Sequence, residues 1–229
     1  MLVLMMLLIA AAQSVLPCTA TPRPESTSTQ TKQMAYPLNL AILLFEGVQI
    51  IDYTGPYEIF GHGYDHGQMF NIYTVSEKGE TLTTSMGMTV TPKYSFANCP
   101  KPDVLVLPGG DVDPSLANPA VMKWVKTQSA EARYVMSVCN GAFFLAEAGL
   151  LDGQKATTFY GMIDDLQKVA PKCLVVSDQR FVDNGKFMTT AGLSSGIDGA
   201  LHLIEKIAGY GVAQQAALWR IREDGAGLA

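Results

Sequence analysis

The chain has 229 residues, 48% of them hydrophobic and 16% charged, with 16 Lys and Arg against 21 Asp and Glu for a formal net charge of −5. This composition excludes wholesale disorder, and a chain of this length buries roughly 70% of its unfolded surface without a disulfide scaffold. No block of Lys or Arg is present to neutralise phosphates or hold an anionic membrane surface, so nucleic acid is not an expected partner.

Met1 to Leu16 is apolar at every position except Gln13 and Ser14, and the first charge is Arg23. An apolar run of about a dozen residues falls short of the roughly 20 that cross a bilayer, so residues 1–20 read as a secretory signal segment and not as a stable membrane span. Cleavage is expected after Ala12 or Ala20, which makes the product periplasmic or secreted; without a functional signal it stays cytoplasmic. Lipidation of Cys18 needs a small residue just before it, and Pro17 stands there. Residues 21–36 are rich in Thr, Ser and Pro and form a linker that cannot offset its ordering entropy. A single domain is expected over 37–222, followed by a tail at 223–229. Without residues 1–33, which carry Arg23, Lys32 and Glu25, the remainder has 14 basic and 20 acidic residues.

From Leu38 onward, short β-branched runs alternate with helical patterns, the signature of an α/β domain around a mostly parallel central sheet. Leu38 to Phe45 is nearly continuous in apolar residues, as a strand covered on both faces requires. A helix is predicted from about Tyr53 to Phe60. Further strands are predicted at Phe70 to Val75, Thr81 to Thr84, Thr89 to Thr91, Val104 to Leu107 and Tyr134 to Val138. Asn118-Pro119 pairs an N-cap with proline at the first helical position and opens a helix to about Ala130. Asp183-Asn-Gly-Lys186 between two apolar runs is hairpin-turn chemistry. Two helices close the chain, from about Ser195 to Ile207 and from Val212 to Ile221, separated by Gly209 and Gly211.

The segment Tyr134-Val-Met-Ser-Val-Cys-Asn-Gly-Ala-Phe-Phe-Leu-Ala-Glu-Ala148 is a buried strand that turns within about three residues into an apolar helix. Cys139 sits on that turn, a nucleophile elbow, with Gly141 suiting its tight geometry. The helix N–H groups aimed at the sulfur are expected to lower the thiol pKa. Ligands of α/β sheets bind beyond the carboxyl ends of the strands, so the ends after Phe45 and Leu107 face the same hollow. The first offers Asp52. The second offers Pro108-Gly109-Gly110, whose N–H groups approach a ligand without Cβ obstruction. Taken singly, each has a plainer meaning: a buried structural Cys, an N-cap at Asp52 or Thr54, and an ordinary turn. Their coincidence is what points to chemistry.

These residues resemble the ThiJ/PfpI branch of the class I glutamine amidotransferase-like superfamily from about Leu38 to Ile207. The resemblance is carried by Leu43-Leu-Phe-Glu-Gly-Val-Gln-Ile-Ile-Asp-Tyr-Thr-Gly-Pro56, Asp103-Val-Leu-Val-Leu-Pro-Gly-Gly110, Ser137-Val-Cys-Asn-Gly-Ala142, Ala148-Gly-Leu-Leu-Asp-Gly153 with Ala156-Thr-Thr158, and Thr190-Ala-Gly-Leu-Ser-Ser-Gly-Ile-Asp198. The resemblance implies a flavodoxin-like three-layer sandwich and a homodimer. The first and last motifs are similar to those of isonitrile hydratases and of the ligand domains of related regulators. By motif position, Cys139 is the nucleophile and Asp52 the carboxylate that hydrogen-bonds it. Gly109, Gly110, Asn140 and Gly141 surround the oxyanion and substrate, with the Gly110 and Asn140 N–H groups as donors. The chain departs from the pattern at two places. Asn140 follows the Cys where PfpI-type proteases have His and hydratases Thr, and Phe159-Tyr160 stands where the glyoxalase-like branch has a His, which disfavours peptidase and glyoxalase activity.

No metal or other cofactor is expected. Of the three His, His202 is read as a packed helix residue; His62 and His66 with Asp65 are read as loop residues in preference to metal ligands. Asp164-Asp165 and Glu147 are read as solvated helix faces, and Cys99 and Cys173 permit at most one disulfide. The functional expectation is a cysteine-dependent hydratase or lyase acting on a small electrophile such as an isonitrile. The alternative is a non-enzymatic ligand-binding or cysteine redox-sensing domain; no helix-turn-helix pattern follows Ile221, so a regulator would be present as its ligand domain alone.

Overall fold

A computed structural model describes residues 37–63 and 68–218 of the chain. The expected signal segment at 1–20, the expected linker at 21–36, Asp65, His66, residues 219–221 of the expected closing helix and the expected tail at 223–229 lie outside the described residues. The chain divides at Met34–Ala35, and the architecture is that of the second unit.

In chain order the elements are β1 (Leu38–Leu43), α1 (Ile50–Gly61), β2 (Phe70–Ser76), β3 (Leu82–Thr83), β4 (Thr89–Val90), β5 (Tyr94–Ser95), β6 (Val104–Leu107), α2 (Asp113–Leu116), α3 (Pro119–Glu131), β7 (Tyr134–Val138), α4 (Ala142–Glu147), β8 (Lys155–Ala156), α5 (Ile163–Val169), β9 (Leu174–Val175), β10 (Phe181–Asp183), β11 (Phe187–Thr190), α6 (Ser194–Ala208) and α7 (Tyr210–Leu218). The main sheet has the order β10-β11-β7-β6-β1-β2-β5 and is parallel except for the β10–β11 hairpin. Its five long parallel strands follow the flavodoxin-like order, in which the chain steps outward from β1 in opposite directions. Right-handed crossovers therefore place α1 on one face and α3 on the other. α6 packs on α1 and α7, while α2, α3, α4 and α5 form the other layer.

β1, β6 and β7 are apolar because both faces are covered: Leu40, Ala41, Ile42, Val104, Leu105, Val106, Leu107 and Met136 have no exposed surface. α6 presents Ala200, Leu203, Ile204 and Ile207 to the sheet at helical spacing, each Leu or Ile contributing at most about 2–3 kcal/mol. Its axis lies close to the strands because Gly196 and Gly199 face them; a Cβ on Gly199 would stand 2.6 Å from Thr190 Cγ2. The cap at Asn118 forms as predicted, its Oδ1 accepting from Ala120 N–H at 2.9 Å. β1 ends at Leu43, two residues before the expected Phe45, and three further boundaries differ from expectation. α1 begins three residues early, α7 begins at Tyr210 because only Gly209, at φ 93°, leaves the helical region, and the Thr81–Thr84 and Thr89–Thr91 strands shrink to the separate β3–β4 pair. β5 and the β8–β9 pair are too short to carry a periodic signal.

Parallel register brings the carboxyl ends of β1, β6 and β7 level, with Ile42 opposite Val106 and Leu107 opposite Ser137. The reversal of winding falls between β1 and β6, and the loop after each opens at that point. Gly141 closes the elbow against β6: a Cβ there would meet Leu107 O at 2.1 Å and Pro108 O at 2.8 Å. Gly141→Ala is expected to cost about 3 kcal/mol, since only backbone can yield. Gly211→Ala, in open space within α7, is expected to gain about 0.5–1 kcal/mol. Urea melts of the two variants check the contrast, and equal effects would refute the packing account.

Candidate active site

Each of the three level strand ends contributes one part of the site. After β1 the chain turns at Gly47 and enters α1 with Gln49, not Asp52, as its cap, and the Gln49 N–H donates to Gly109 O at 2.8 Å. Asp52 therefore lies in the first helical turn, with no exposed surface, and its carboxylate is held from two distant segments. Oδ2 accepts from the Gly109 N–H at 3.3 Å after β6, and Oδ1 from the Leu193 N–H at 3.2 Å at the entry to α6. The Cys139 thiol hydrogen-bonds the same carboxylate.

Cys139 occupies the elbow at φ 56°, a left-handed conformation that costs a residue bearing a Cβ about 1–2 kcal/mol. Its surroundings hold it there. Thr158 Oγ1 donates to Cys139 O at 2.9 Å. Gly192 lies so close that a Cβ on it would stand 2.8 Å from Cys139 Cβ and 3.0 Å from Sγ, and one on Gly109 would stand 3.0 Å from Cys139 Cβ and 2.9 Å from Asp52 Oδ2. Leu193 is strained as well, at φ 46° and ψ −119°, and its N–H is one of the two that fix Asp52. Strain of this kind collects where geometry serves a site.

The N–H groups of Gly109 and Gly110, the second of them an expected oxyanion donor with the Asn140 N–H, are engaged within the protein. The Gly109 N–H goes to Asp52, and the Gly110 N–H goes to Asn140 Oδ1 at 2.9 Å. Asn140 also donates from Nδ2 to Gly110 O at 2.8 Å, so its side-chain amide pairs at two points with one backbone residue. The Asn140 N–H is directed at Cys139 Sγ. Gly141 packs the elbow and does not reach the cleft lining.

Burial raises the Asp52 carboxyl from its ordinary 3.8 to about 6, against the lowering effect of the hydrogen bonds from Leu193, Gly109 and Cys139. Burial, and then the Asp52 charge, push the Cys139 thiol from 9.0 up to about 12, with the Asn140 N–H opposing weakly. The expected low thiol pKa is thus overturned. α4 has only six residues, and its dipole does not outweigh desolvation and a touching carboxylate. The pair carries one negative charge at neutral pH and shares one proton, which rests on sulfur.

Above the pair opens a cavity of about 360 Å³, lined by Phe159, Met162 and Leu193 and by the polar Gln49, Ser85 and Asn140, with Cys139 and Gly110. Ser85 Oγ donates to Gln49 Oε1 at 2.7 Å and fixes that amide. None of the lining residues is Lys, Arg or His. Gln49, Ser85, Met162 and Leu193 went unread in the sequence. Leu193 had a signal, since a Gly-Leu-Ser-Ser-Gly run between a strand and a helix marks a constrained turn. His202 bonds Asp183 at 2.9 Å and lies against Phe181, as a packed helix residue. His62 bonds Glu58 at 2.9 Å. Among the described residues Cys99, Cys139 and Cys173 are free thiols, no cluster of three or more His, Cys, Asp or Glu is placed to hold a metal, and no helix is long and apolar enough to cross a membrane.

With sulfur holding the proton, alkylation of Cys139 by iodoacetamide is expected to climb steadily from pH 6 to pH 10. Asp52→Asn removes the adjacent charge and is expected to speed alkylation at pH 8 by about tenfold or more. A native rate that levels off below pH 8 would place the proton on Asp52 instead.

The DJ-1/PfpI family model matches residues 39–206. Isonitrile hydratase from Pseudomonas putida is 36% identical over 182 residues, which cover 79% of this chain and 77% of that protein. The HTH-type transcriptional regulator CdhR of Pseudomonas aeruginosa is 30% identical over 161 residues, 69% of this chain and 48% of the regulator, so the match spans about half of the regulator's length. The crystal structure of a ThiJ/PfpI family protein from Pseudomonas syringae has a TM-score of 0.72 at 27% identity, covering 86% of this chain and 81% of that one. Since the match runs from β1 through nearly all of α6, and the elbow, the acid and the paired glycines stand together at the strand ends within it, the chain belongs to the DJ-1/PfpI family.

Proposed function

We propose that the protein is a cysteine-dependent hydratase of a small neutral electrophile, with isonitriles as the substrate class. The observation that carries this reading is a thiol–carboxylate pair sharing one proton beneath a cavity lined without cationic side chains. A net negative pair facing walls that carry no cation disfavours anionic substrates and admits a small uncharged one. The 36% identity with isonitrile hydratase supports the choice of class.

The chemistry follows from the shared proton. As an isonitrile R–N≡C approaches, the Cys139 proton passes to Asp52 while Sγ forms a bond to the terminal carbon. Asp52 then delivers that proton to the same carbon, which leaves a thioimidate, R–N=CH–S–Cys139. Water adds to the thioimidate carbon, giving one proton to nitrogen, and the C–S bond breaks as the hydroxyl proton returns to sulfur through Asp52. The product is the N-substituted formamide, R–NH–CHO, and the pair is restored. Asp52 acts as base and then acid, a role suited to a carboxyl at about 6.

A second reading is supported by the likeness to CdhR: a ligand-binding domain without turnover, in which Cys139 is oxidised reversibly. Incubation with alkyl isonitriles, with formamide followed by NMR, separates the two. Turnover is expected to vanish in Cys139→Ala and to fall about 10²-fold or more in Asp52→Asn, opposite in sign to the effect of Asp52→Asn on alkylation. Because the carboxylate must accept the thiol proton, kcat/KM is expected to rise with pH through about 6 and then level. Absence of formamide, together with selective peroxide modification of Cys139, would favour the sensing domain.

A further inference from the structure

We infer that Asn140 is a specificity-determining residue that closes the backbone oxyanion site and so turns Cys139 away from carbonyl electrophiles. The inference rests on the Cys139 chemistry proposed above and adds to it a reason for substrate choice.

In an elbow of this kind, the N–H after the nucleophile and an N–H from the facing loop together make the two donors that stabilise a tetrahedral oxyanion. Here the first points at sulfur. The second, on Gly110, lines the same cavity as Cys139 but is spent on Asn140 Oδ1 at 2.9 Å. The return bond from Nδ2 to Gly110 O at 2.8 Å prevents the amide from rotating away. Nor is the side chain loosely placed. Asn140 is 9% exposed, and its Oδ1 lies where a Cβ on Gly109 would come within 2.2 Å, so only a glycine lets the amide sit there.

The consequence differs between two classes of electrophile. When a thiolate adds to an ester or aldehyde, the S–C bond forms as the carbonyl π pair moves onto oxygen, and that oxygen needs donors. When it adds to an isonitrile, the pair remains on the terminal carbon and is quenched by the Asp52 proton. Water then adds while the imine nitrogen takes a proton, and no oxyanion need build up. Closing one of two donors therefore penalises carbonyl substrates and leaves isonitrile addition nearly untouched, which is selection by obstructing the competitor.

The test compares two reagents at Cys139 in the whole protein. p-Nitrophenyl acetate acylates sulfur through an oxyanion: the S–C bond forms, the oxyanion collapses and p-nitrophenolate leaves. Iodoacetamide alkylates by direct displacement of iodide and makes none. The ratio of the two second-order rates cancels changes in thiolate population. In Asn140→Ala that ratio is expected to rise at least tenfold, toward the roughly 10²- to 10³-fold worth of one oxyanion donor. Asn140→Ser, too short for the two-point pairing, is expected to behave alike and serves if the alanine variant fails to fold. In both, exchange of the Gly110 amide hydrogen is expected to accelerate. A ratio within twofold of native in a folded variant overturns the inference, whether or not the amide has been freed. Neither reagent is an isonitrile, so this outcome is independent of whether formamide is ever produced.

Discussion

A buried carboxylate held by three groups from three parts of the chain is the constraint on which the site depends. Asp52 has no exposed surface, yet it accepts from Gly109 after β6, from Leu193 before α6 and from the Cys139 thiol after β7. A charge in that position is tolerated because two of the three donors are fixed backbone groups. The folded pKa is raised, so the stability that this group contributes is fully present below 3.8 and is lost as pH rises through about 6. The loss is of order 3 kcal/mol. The protein is thus least helped by Asp52 at the pH where an ionised carboxylate is chemically useful.

The two strained residues belong to the same account. Cys139 at φ 56° lifts sulfur off the strand, and Leu193 at φ 46° turns its N–H toward Asp52. Neither conformation is favoured for a side chain with a Cβ; that of Cys139 is kept by close packing at Gly109 and Gly192, and that of Leu193 aims its N–H at Asp52. Stability is given up locally so that an acid and a thiol meet in one proton-sharing pair. Sharing rather than separation decides the protonation state. A buried thiol touching a carboxylate keeps its hydrogen, because losing it would set two negative charges side by side.

How much of this could be read beforehand depends on the range of the interaction. The strand-to-helix elbow, the Asn118 cap and the Asp183–Lys186 turn are legible because their chemistry is local, each written within a handful of residues. The meeting of Asp52, Gly110 and Cys139 was legible through topology, since parallel strands in flavodoxin-like order bring those ends level. The α1 boundary was misplaced because Gln49 caps the helix with a backbone bond to Gly109 that no local pattern announces. The thiol pKa differs from expectation because helix orientation is legible in sequence and depth of burial is not. The pairing of Asn140 with Gly110 escaped notice for the same reason: two side-chain atoms find two backbone atoms 30 positions away.

The bond from Leu193 to Asp52 joins positions 141 apart in sequence, and this separation bears on biogenesis. A contact of such long range cannot form before the start of α6 has been synthesised and its loop closed. Until then Cys139 is an ordinary thiol at the 9.0 from which burial later raises it. A nascent chain therefore carries a more readily oxidised sulfur than the finished protein, and completion of the fold shelters the sulfur at the moment the proton partner arrives.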